Sequence, residues 1–271
     1  MTPLMVDTHT HVIAADATRY PLVPLEPTGG WYREAAVSVE ELLALMDDAR
    51  VDRAVLVQGV SAYRYDNRDV VDSASRFASR CSSVVCLDPQ APDAAEELRR
   101  LASDHGARGL RWWALSGEPL AEPRAVWDEI ATLAVPVVVT MFASRLSELA
   151  RIVPTLPAVP IAVDHCAFAD FSRGVPDELR ALGMLPTVRL KVSTIVLDRM
   201  AEHGDVRDGL RELAACFGAD RLMWGSDFSQ THDRPYPELA EHARVAASRL
   251  DDDERAAFLG GTALELWPEL A

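Results

Sequence analysis

The feature of this sequence that most limits its fold is an eightfold alternation of short apolar runs with helical patterns. The runs are rich in Val, Leu and Ile, as expected for strands covered on both faces, and the segments between them carry apolar residues at helical spacing. The predicted strands are residues 4–12, 53–58, 83–87, 107–113, 136–142, 160–168, 187–195 and 221–225. Eight such units in 271 residues predict a single-domain, closed (β/α)8 barrel over 1–271, in preference to an open doubly wound sheet.

The segments between the strands show helix starts and two long loops. Ser38 and Glu41 form a capping-box pattern, which predicts a helix beginning at Ser38. The stretches 13–31 and 59–68 lack an apolar period and predict surface loops, which at this length tend to be functional or mobile. Further helices are predicted at 70–79, 93–105, 124–133, 147–153, 176–182, 208–217, 236–250 and 252–259.

Composition narrows the expected partners and compartment. The chain has 42 acidic and 27 basic residues and a net charge of −15, which opposes general affinity for nucleic acid or anionic lipid. No apolar run approaches the roughly 18 residues of a membrane span, and the N-terminus lacks a signal-peptide pattern, so a cytoplasmic protein is expected. The cysteines have neither zinc-finger nor redox spacing and are expected to be reduced and mostly buried: Cys81, Cys86, Cys166 and Cys216.

The first predicted strand carries the most informative motif, His9-Thr10-His11, closely preceded by Asp7. The strand period of two puts Asp7, His9 and His11 on one face, with the two imidazoles roughly 6–7 Å apart at their backbones. That spacing suits two ligands of one metal ion, or two donors to one substrate oxyanion. On the same face, Asp7 is placed to orient the first imidazole.

Other polar residues fall near the ends of later strands. They are Arg111 in strand 4, His165 in strand 6, Lys191 in strand 7 and Asp227 after strand 8. Each alone has a structural explanation as a buried histidine, a strand-end charge or a helix cap. Because active sites of (β/α)8 barrels lie at the carboxyl ends of the strands, their convergence indicates an active site. Cys166 points to the opposite face from His165 along a strand, so a cysteine nucleophile is not expected.

Taken together, the motifs resemble a known family over almost the whole chain. The resemblance is carried by V-D-T-H-T-H-V, V-D-R-A-V-L-V-Q with the Tyr-containing loop up to D-N-R, G-L-R, V-D-H, L-K-V-S and M-W-G-S-D-F. These segments are similar to the amidohydrolase superfamily and, within it, to the amidohydrolase-related (amidohydrolase 2) group that includes 2-pyrone-4,6-dicarboxylate lactonase. The resemblance implies a distorted TIM barrel of the metal-dependent hydrolase type that cleaves amide or ester bonds, with some relatives acting as decarboxylases or hydratases.

The resemblance leaves the cofactor open between one divalent metal ion and none. Metal-dependent relatives typically use the strand 1 H-x-H, a His or Lys on strand 5, often a His on strand 6, and the strand 8 Asp. His9, His11 and Asp227 would then hold zinc or manganese, with His165 or water as the fourth ligand. Strand 5 reads V-V-V-T-M-F over 137–142 and offers no such ligand, which slightly favours the absence of a metal.

By the same resemblance, the substrate is a small anionic lactone derived from an aromatic or sugar acid. The acidic chain then needs local cations, and Arg111 is the candidate carboxylate clamp because guanidinium pairs bidentately with carboxylates. The candidate substrate contacts are Arg111, Lys191, Arg64, Tyr63, Tyr65 and Asn67. Tyr63 and Tyr65 fit equally well as residues that pack their loop onto the barrel.

The sequence thus predicts a cytoplasmic lactonase in which Asp227 is the general base on water and His9, His11 and His165 polarise the carbonyl. The alternatives are a mononuclear zinc- or manganese-dependent amidohydrolase or decarboxylase, and a barrel that binds without catalysis. The resemblance also allows a homo-oligomer. One departure from the family pattern leaves the substrate open: Phe228-Ser229-Gln230 stands where the family has aromatic-Pro-His, and His232 is displaced.

Overall fold

The computed structural model describes residues 4–25 and 30–271, and its centre is an eight-stranded parallel sheet in the order β1 to β8. The strands are β1 Val6–Thr10, β2 Arg53–Val57, β3 Cys81–Cys86, β4 Leu110–Trp113, β5 Val137–Thr140, β6 Ile161–Val163, β7 Val188–Ser193 and β8 Leu222–Gly225. The last strand returns to the first, because Asp227 N donates to His9 O over 2.8 Å and His11 N donates to Phe228 O over 2.6 Å. The predicted (β/α)8 barrel is confirmed.

Helices pack around the strands. In chain order they are α1 Trp31–Glu34, α2 Val39–Ala49, α3 Val60–Tyr63, α4 Arg68–Arg76, α5 Ala94–His105, α6 Arg124–Leu133, α7 Leu146–Ile152, α8 Asp177–Gly183, α9 Thr194–His203, α10 Val206–Phe217, α11 Tyr236–Ala246, α12 Asp252–Ala256 and α13 Thr262–Leu266. The predicted capping box is confirmed, since Ser38 and Glu41 exchange side-chain and backbone hydrogen bonds at the start of α2.

Some of the sequence predictions about these elements are wrong. The loop predicted over 59–68 contains the short helix α3. Strand 7 was predicted to run to residue 195, but it ends at Ser193, and α9 begins at Thr194. The β-branched residues that open α9 favour a strand by propensity, yet α9 buries Val196, Leu197 and Met200, and this packing overrides the local preference.

The barrel interior has an apolar layer near the amino ends of the strands. It consists of Val6, Val55, Val57, Val84, Val138, Ala162 and Met223, together with Ala263, Leu266, Trp267 and Leu270 from the last part of the chain. Trp267 Nε1 donates to Arg108 O over 3.1 Å just before β4, and Arg53 Nε donates to Leu270 O over 3.0 Å at the start of β2. The residues after α13 therefore close this end of the barrel.

The cysteines and the helices agree with the expectations from composition. All four cysteines are free thiols; three are buried and Cys216 is partly exposed. Within the described ranges, no helix has the length and the apolar character that a membrane crossing requires.

Candidate active site

The carboxyl ends of β1 and β8 bring His9, His11 and Asp227 together. Asp227 Oδ1 lies 3.7 Å from His9 Nε2 and 3.5 Å from His11 Nε2. All three side chains are buried, and these three atoms have no hydrogen-bond partner among the residues that the structure describes. Buried polar atoms are normally paired because an unpaired one is costly, so the convergence of three unpaired atoms marks a binding site.

The hydrogen bonds on the far side of each imidazole fix what the two rings present to this site. His11 Nδ1 lies 2.8 Å from Val57 O, and His9 Nδ1 lies 3.0 Å from Asp164 Oδ1. Because a carbonyl or carboxylate oxygen only accepts, each Nδ1 carries the proton and each Nε2 keeps its lone pair. Burial lowers the pKa of His9 well below its ordinary value, which keeps this ring neutral.

Three lone pairs, one of them on an anion, therefore face each other without a donor between them. The ligand atoms of His9, His11 and Asp227 all lie within 4.8 Å of one another, as ligands of one ion must. Two imidazole nitrogens and one carboxylate oxygen form a donor set suited to zinc and related divalent ions. These residues can hold one divalent metal ion.

The backbones of β1 and β8 approach closely at this point. A Cβ atom at Gly225 would lie 2.7 Å from His9 Cβ, so a larger residue there would force the strands apart. Asp227 follows with a left-handed φ of 63°, and its Oδ2 accepts from Thr231 Oγ1 over 3.3 Å. The turn after β8 thus leaves Oδ1 of Asp227 directed at the two imidazoles.

Asp7 does not orient the His9 ring, and this prediction is wrong. Its Oδ1 accepts from the backbone N–H groups of His9, over 3.1 Å, and Ser226, over 2.8 Å. Its Oδ2 accepts from Tyr236 Oη over 3.0 Å. The β1–β2 register shifts between Asp7 and Thr10, so the regular alternation assumed for the strand does not apply. Asp7 instead ties the backbones of β1 and β8 together.

The residue that orients His9 is Asp164, which the sequence analysis did not select. It accepts from Thr140 Oγ1 over 2.6 Å as well as from His9 Nδ1, and Lys191 Nζ lies 3.3 Å from it. Burial alone would raise the pKa of Asp164, but His9, Lys191 and Arg111 together hold it well below its ordinary value. Its position next to His165 in the V-D-H motif was the signal available in the sequence.

Two of the three cations predicted to bind substrate lie in the barrel interior. Lys191 is fully buried, and its Nζ contacts Asp164 and lies 5.7 Å from the centre of the Trp267 ring. Arg111 donates through Nε to Thr140 Oγ1 over 2.9 Å and through Nη1 to Gln58 O over 3.0 Å. These donors are engaged by the protein itself, and a substrate role for either residue stays a prediction.

The strand predicted over 160–168 is too long, because β6 ends at Val163. The next residues form a left-handed turn, with φ values of 53° at His165, 47° at Cys166, 56° at Ala167 and 54° at Phe168. His165 Nδ1 lies 2.8 Å from Ser193 Oγ at the end of β7. The run C-A-F has no glycine, so a left-handed conformation could not be predicted from these residues.

Cys166 is buried against β7, with its Sγ 3.7 Å from Lys191 O. Burial raises the pKa of this thiol above its ordinary value, so the thiolate needed for nucleophilic attack is disfavoured.

The remaining residues predicted to contact substrate lie in the segment after β2, and the structure shows other contacts for the side chains of two of them. Tyr63 is buried, and its Oη accepts from Ala14 N over 3.0 Å. The Asn67 amide bonds to the backbone of Cys86 and Tyr65. Tyr65 is 45% exposed, and Arg64 is exposed. None of these contacts involves an imidazole of the site, and a substrate role for the four residues stays a prediction. His232 also lies at the surface, with its Nε2 3.6 Å from Glu34 Oε2.

Trp31 covers the β1 side of the site. Its ring lies over His11 with a centroid separation of 5.3 Å, and its Nε1 donates to Ser61 Oγ over 2.8 Å. The predicted loop 13–31 thus ends on the site, although 26–29 lie outside the described residues. Trp31 packs in a small apolar cluster with Ile13, Tyr32, Ala62 and Tyr63, which holds it in place.

The fold and the site define a class of enzyme: a hydrolase built on a (β/α)8 barrel, with a His-x-His pair on the first strand and an aspartate after the last. A family model described as amidohydrolase matches residues 6–268, and the chain belongs to this family.

Individual relatives agree with this assignment. The chain is 26% identical to L-fucono-1,5-lactonase from Burkholderia ambifaria, over 97% of this chain and 94% of that protein. A Pseudomonas putida structure described as a 2-pyrone-4,6-dicarboxylic acid hydrolase superposes with a TM-score of 0.81 at 22% identity, covering 100% of both chains. An amidohydrolase from Burkholderia multivorans with bound zinc superposes with a TM-score of 0.73 at 23% identity, covering 98% of this chain and 99% of that one.

Proposed function

We propose that this protein is a lactonase that opens the cyclic ester of a sugar acid or of an aromatic-derived acid. The observation that carries the proposal is the meeting of three unpartnered buried atoms, Nε2 of His9, Nε2 of His11 and Oδ1 of Asp227, at the carboxyl end of the barrel. The similarity to L-fucono-1,5-lactonase supports a lactone as the substrate class.

The same three atoms favour a divalent metal ion, zinc or manganese, over a metal-free site. Polarising a carbonyl directly would require an N–H at Nε2 of His9 and His11, whereas their hydrogen bonds to Asp164 and Val57 place the proton on Nδ1. His9, His11 and Asp227 would hold a divalent ion, which would supply Lewis acidity and would lower the pKa of a water molecule from 15.7 to about 7. We therefore propose a metal-dependent lactonase rather than a metal-free one, although β5 offers no ligand.

The chain's own residues account for the movement of protons. Burial would raise the pKa of Asp227, but the surrounding imidazoles hold it below its ordinary value, so the carboxylate is ionised. Asp227 accepts a proton from the water that attacks the carbonyl carbon, and it returns that proton to the ring oxygen as the ring C–O bond breaks. The product is a hydroxy acid. General acid–base steps of this kind contribute roughly 10²–10⁴-fold.

His165 and Asp164 support this chemistry from the β6 side. His165 Nδ1 lies 2.8 Å from Ser193 Oγ, and we assign the donor role to the hydroxyl, so that His165 carries its proton on Nε2 and donates it towards the carbonyl oxygen, where negative charge develops. Asp164 accepts a hydrogen bond from Nδ1 of His9. This bond keeps the proton on Nδ1 and leaves the lone pair on Nε2.

The test is hydrolysis of a lactone panel by protein purified without added metal, with its metal content measured by elemental analysis. The panel contains sugar-acid 1,5-lactones, 2-pyrone-4,6-dicarboxylic acid, an amide and a carboxylated phenol, and acid release is followed with a pH indicator. We expect lactone hydrolysis, about one zinc or manganese ion per chain, and loss of activity on chelation that the metal restores. Turnover of the amide or the phenol alone would contradict the proposal.

A further inference from the structure

Four aromatic rings form a continuous ladder from the candidate metal site to the surface. The centroids of His9 and His165 are 4.7 Å apart, those of His165 and Phe168 are 4.8 Å apart, and those of Phe168 and Phe142 are 5.7 Å apart. His9 is fully buried, Phe168 is partly buried, and Phe142 is 49% exposed. The ladder therefore leads from the reacting groups to open apolar surface.

The left-handed turn after β6 builds this ladder. One turn with four left-handed residues puts His165 and Phe168 on the same side, where their rings stack at an interplanar angle of 30°. Arg199 Nη1 donates to Phe168 O over 2.8 Å and anchors the end of the turn. Left-handed conformations are unfavourable for residues other than glycine, and such strain tends to be retained at functional sites.

Phe142, in contrast to Phe168, is not part of the left-handed turn. It lies two residues after the end of β5 and exposes about half of its side chain, whereas β5 itself is buried. In an eight-stranded barrel, β5 lies across the mouth from β1, so Phe142 after β5 and Trp31 beside His11 of the β1 side belong to opposite sides of the mouth. A large exposed ring at the rim of a candidate active site is a typical ligand contact.

We propose that Phe142 and Phe168 form an aromatic wall that binds the apolar face of a six-membered sugar lactone. The wall thereby selects a neutral sugar-acid 1,5-lactone over a planar lactone that bears two carboxylates. A pyranose-type ring presents C–H groups on one face and hydroxyls at its edge, so its face packs on an aromatic ring while its edge stays hydrated. This inference rests on the proposed lactonase function.

The charges near the wall agree with a neutral ligand. Arg145, three residues after Phe142, donates to Glu148 Oε2, Ala114 O and Glu118 O over 2.9 to 3.0 Å. Arg199 donates to the turn itself, and Arg111 donates to Thr140 and Gln58. These donors are engaged by protein acceptors, and the net charge of the chain is −15, which disfavours a dianion.

The test is steady-state kinetics of the metal-loaded enzyme and its variants on a sugar-acid 1,5-lactone. Phe142→Ala is expected to raise KM about tenfold and to change kcat less than about threefold, because the ring contact of Phe142 is with Phe168 and not with His9, His165 or Asp227. Phe142→Tyr keeps the ring and should stay within about twofold of the original KM, while Phe142→Leu should raise KM about fivefold. Met184→Ala, which removes an 82% exposed hydrophobe elsewhere, is the matched control and should change nothing.

Kinetics on a second substrate test the proposed substrate selectivity separately from the proposed lactonase function. The original enzyme should prefer the neutral lactone to 2-pyrone-4,6-dicarboxylic acid, and Phe142→Ala and Phe168→Leu should narrow that preference about tenfold. Lactone hydrolysis with an unchanged KM in Phe142→Ala would overturn the wall and leave the lactonase proposal standing. If the unmutated enzyme hydrolyses no lactone, both the aromatic wall and the lactonase proposal are overturned. Thermal melts check that each variant is folded.

Discussion

The barrel encloses two layers of very different character. Towards the amino ends of the strands, the interior is filled by aliphatic side chains and Trp267. Towards the carboxyl ends, it holds Asp164, Lys191 and the two imidazoles, all buried. The same strands contribute to both layers, so one barrel supplies stability at one end and concentrates buried charge, which costs stability, at the other.

Lys191 lies at the boundary between the two layers. Its ammonium group contacts Asp164 on one side and the face of Trp267 on the other. Burial lowers the pKa of Lys191 from its ordinary value, while Asp164 favours the charged form. We therefore expect mutations to separate the two layers, with variants of the charged layer losing activity and variants of the apolar layer losing stability.

The largest effect is expected from Asp227→Asn in the charged layer. Without the carboxylate, proton transfer from water and one candidate metal ligand are lost, so kcat/KM should fall about 10³-fold. The free energy of unfolding should change by less than about 1 kcal/mol or increase, because a buried charge is removed. The control is Asp233→Asn, an exposed carboxylate on the same loop. Full activity on the true substrate would overturn the assigned role of Asp227.

In the apolar layer, Trp267→Ala should lower the free energy of unfolding by about 3–5 kcal/mol. The indole is fully buried and closes the amino end of the barrel, so its removal leaves a large cavity. Denaturant unfolding measures this loss, and kcat of the folded fraction should stay within about threefold. A collapse of kcat at unchanged stability would show that the layers are not separable.

At the boundary, Lys191→Met should lower kcat/KM about 10- to 100-fold, because Asp164 then holds His9 less firmly. Stability should fall as well, since Asp164 loses a buried partner. Adding Asp164→Asn should recover part of that stability but none of the activity. A double-mutant cycle by denaturant unfolding measures this coupling, and simple additivity would contradict it.

The smallest effect concerns Asp7, whose pKa burial raises to about 6. Between the ordinary pKa of 3.8 and pH 6, the folded state holds a proton that the unfolded chain has released. The free energy of unfolding should therefore decrease as pH rises through this window, by about 2–3 kcal/mol. Asp7→Asn cannot titrate and should flatten the slope in denaturant unfolding measured from pH 4 to 7. An unchanged slope would mean that Asp7 is not the titrating group.

The barrel could be predicted from the sequence because its signals are local and repeated. Each strand is a short apolar run, and the helix start at Ser38 shows a complete capping box, so these elements depend little on distant contacts. The failures occur where tertiary contacts decide. The left-handed turn at His165 is held by packing against β7, and α9 is held by the core it covers.

The candidate site was predicted in part for the same reason. His9, His11 and Asp227 lie in motifs that stand out on their own, and the structure brings them together. Asp164 and Thr140 do not stand out, because an Asp and a Thr at strand ends have many ordinary uses. Their importance depends on a hydrogen bond between two strands that only the folded barrel creates.

The closure of the amino end by Trp267 has a consequence for exchange with solvent. Lactone, water and product must all pass through the carboxyl end of the barrel, so entry and departure compete for one passage. On the neutral sugar-acid lactone that we infer as the preferred substrate, the proposed reaction converts a neutral ring into an anion inside a protein whose net charge is −15. Electrostatic repulsion from the acidic chain then acts on the product but not on the neutral lactone, and it hastens product release. The net negative charge thereby frees the passage for the next substrate molecule.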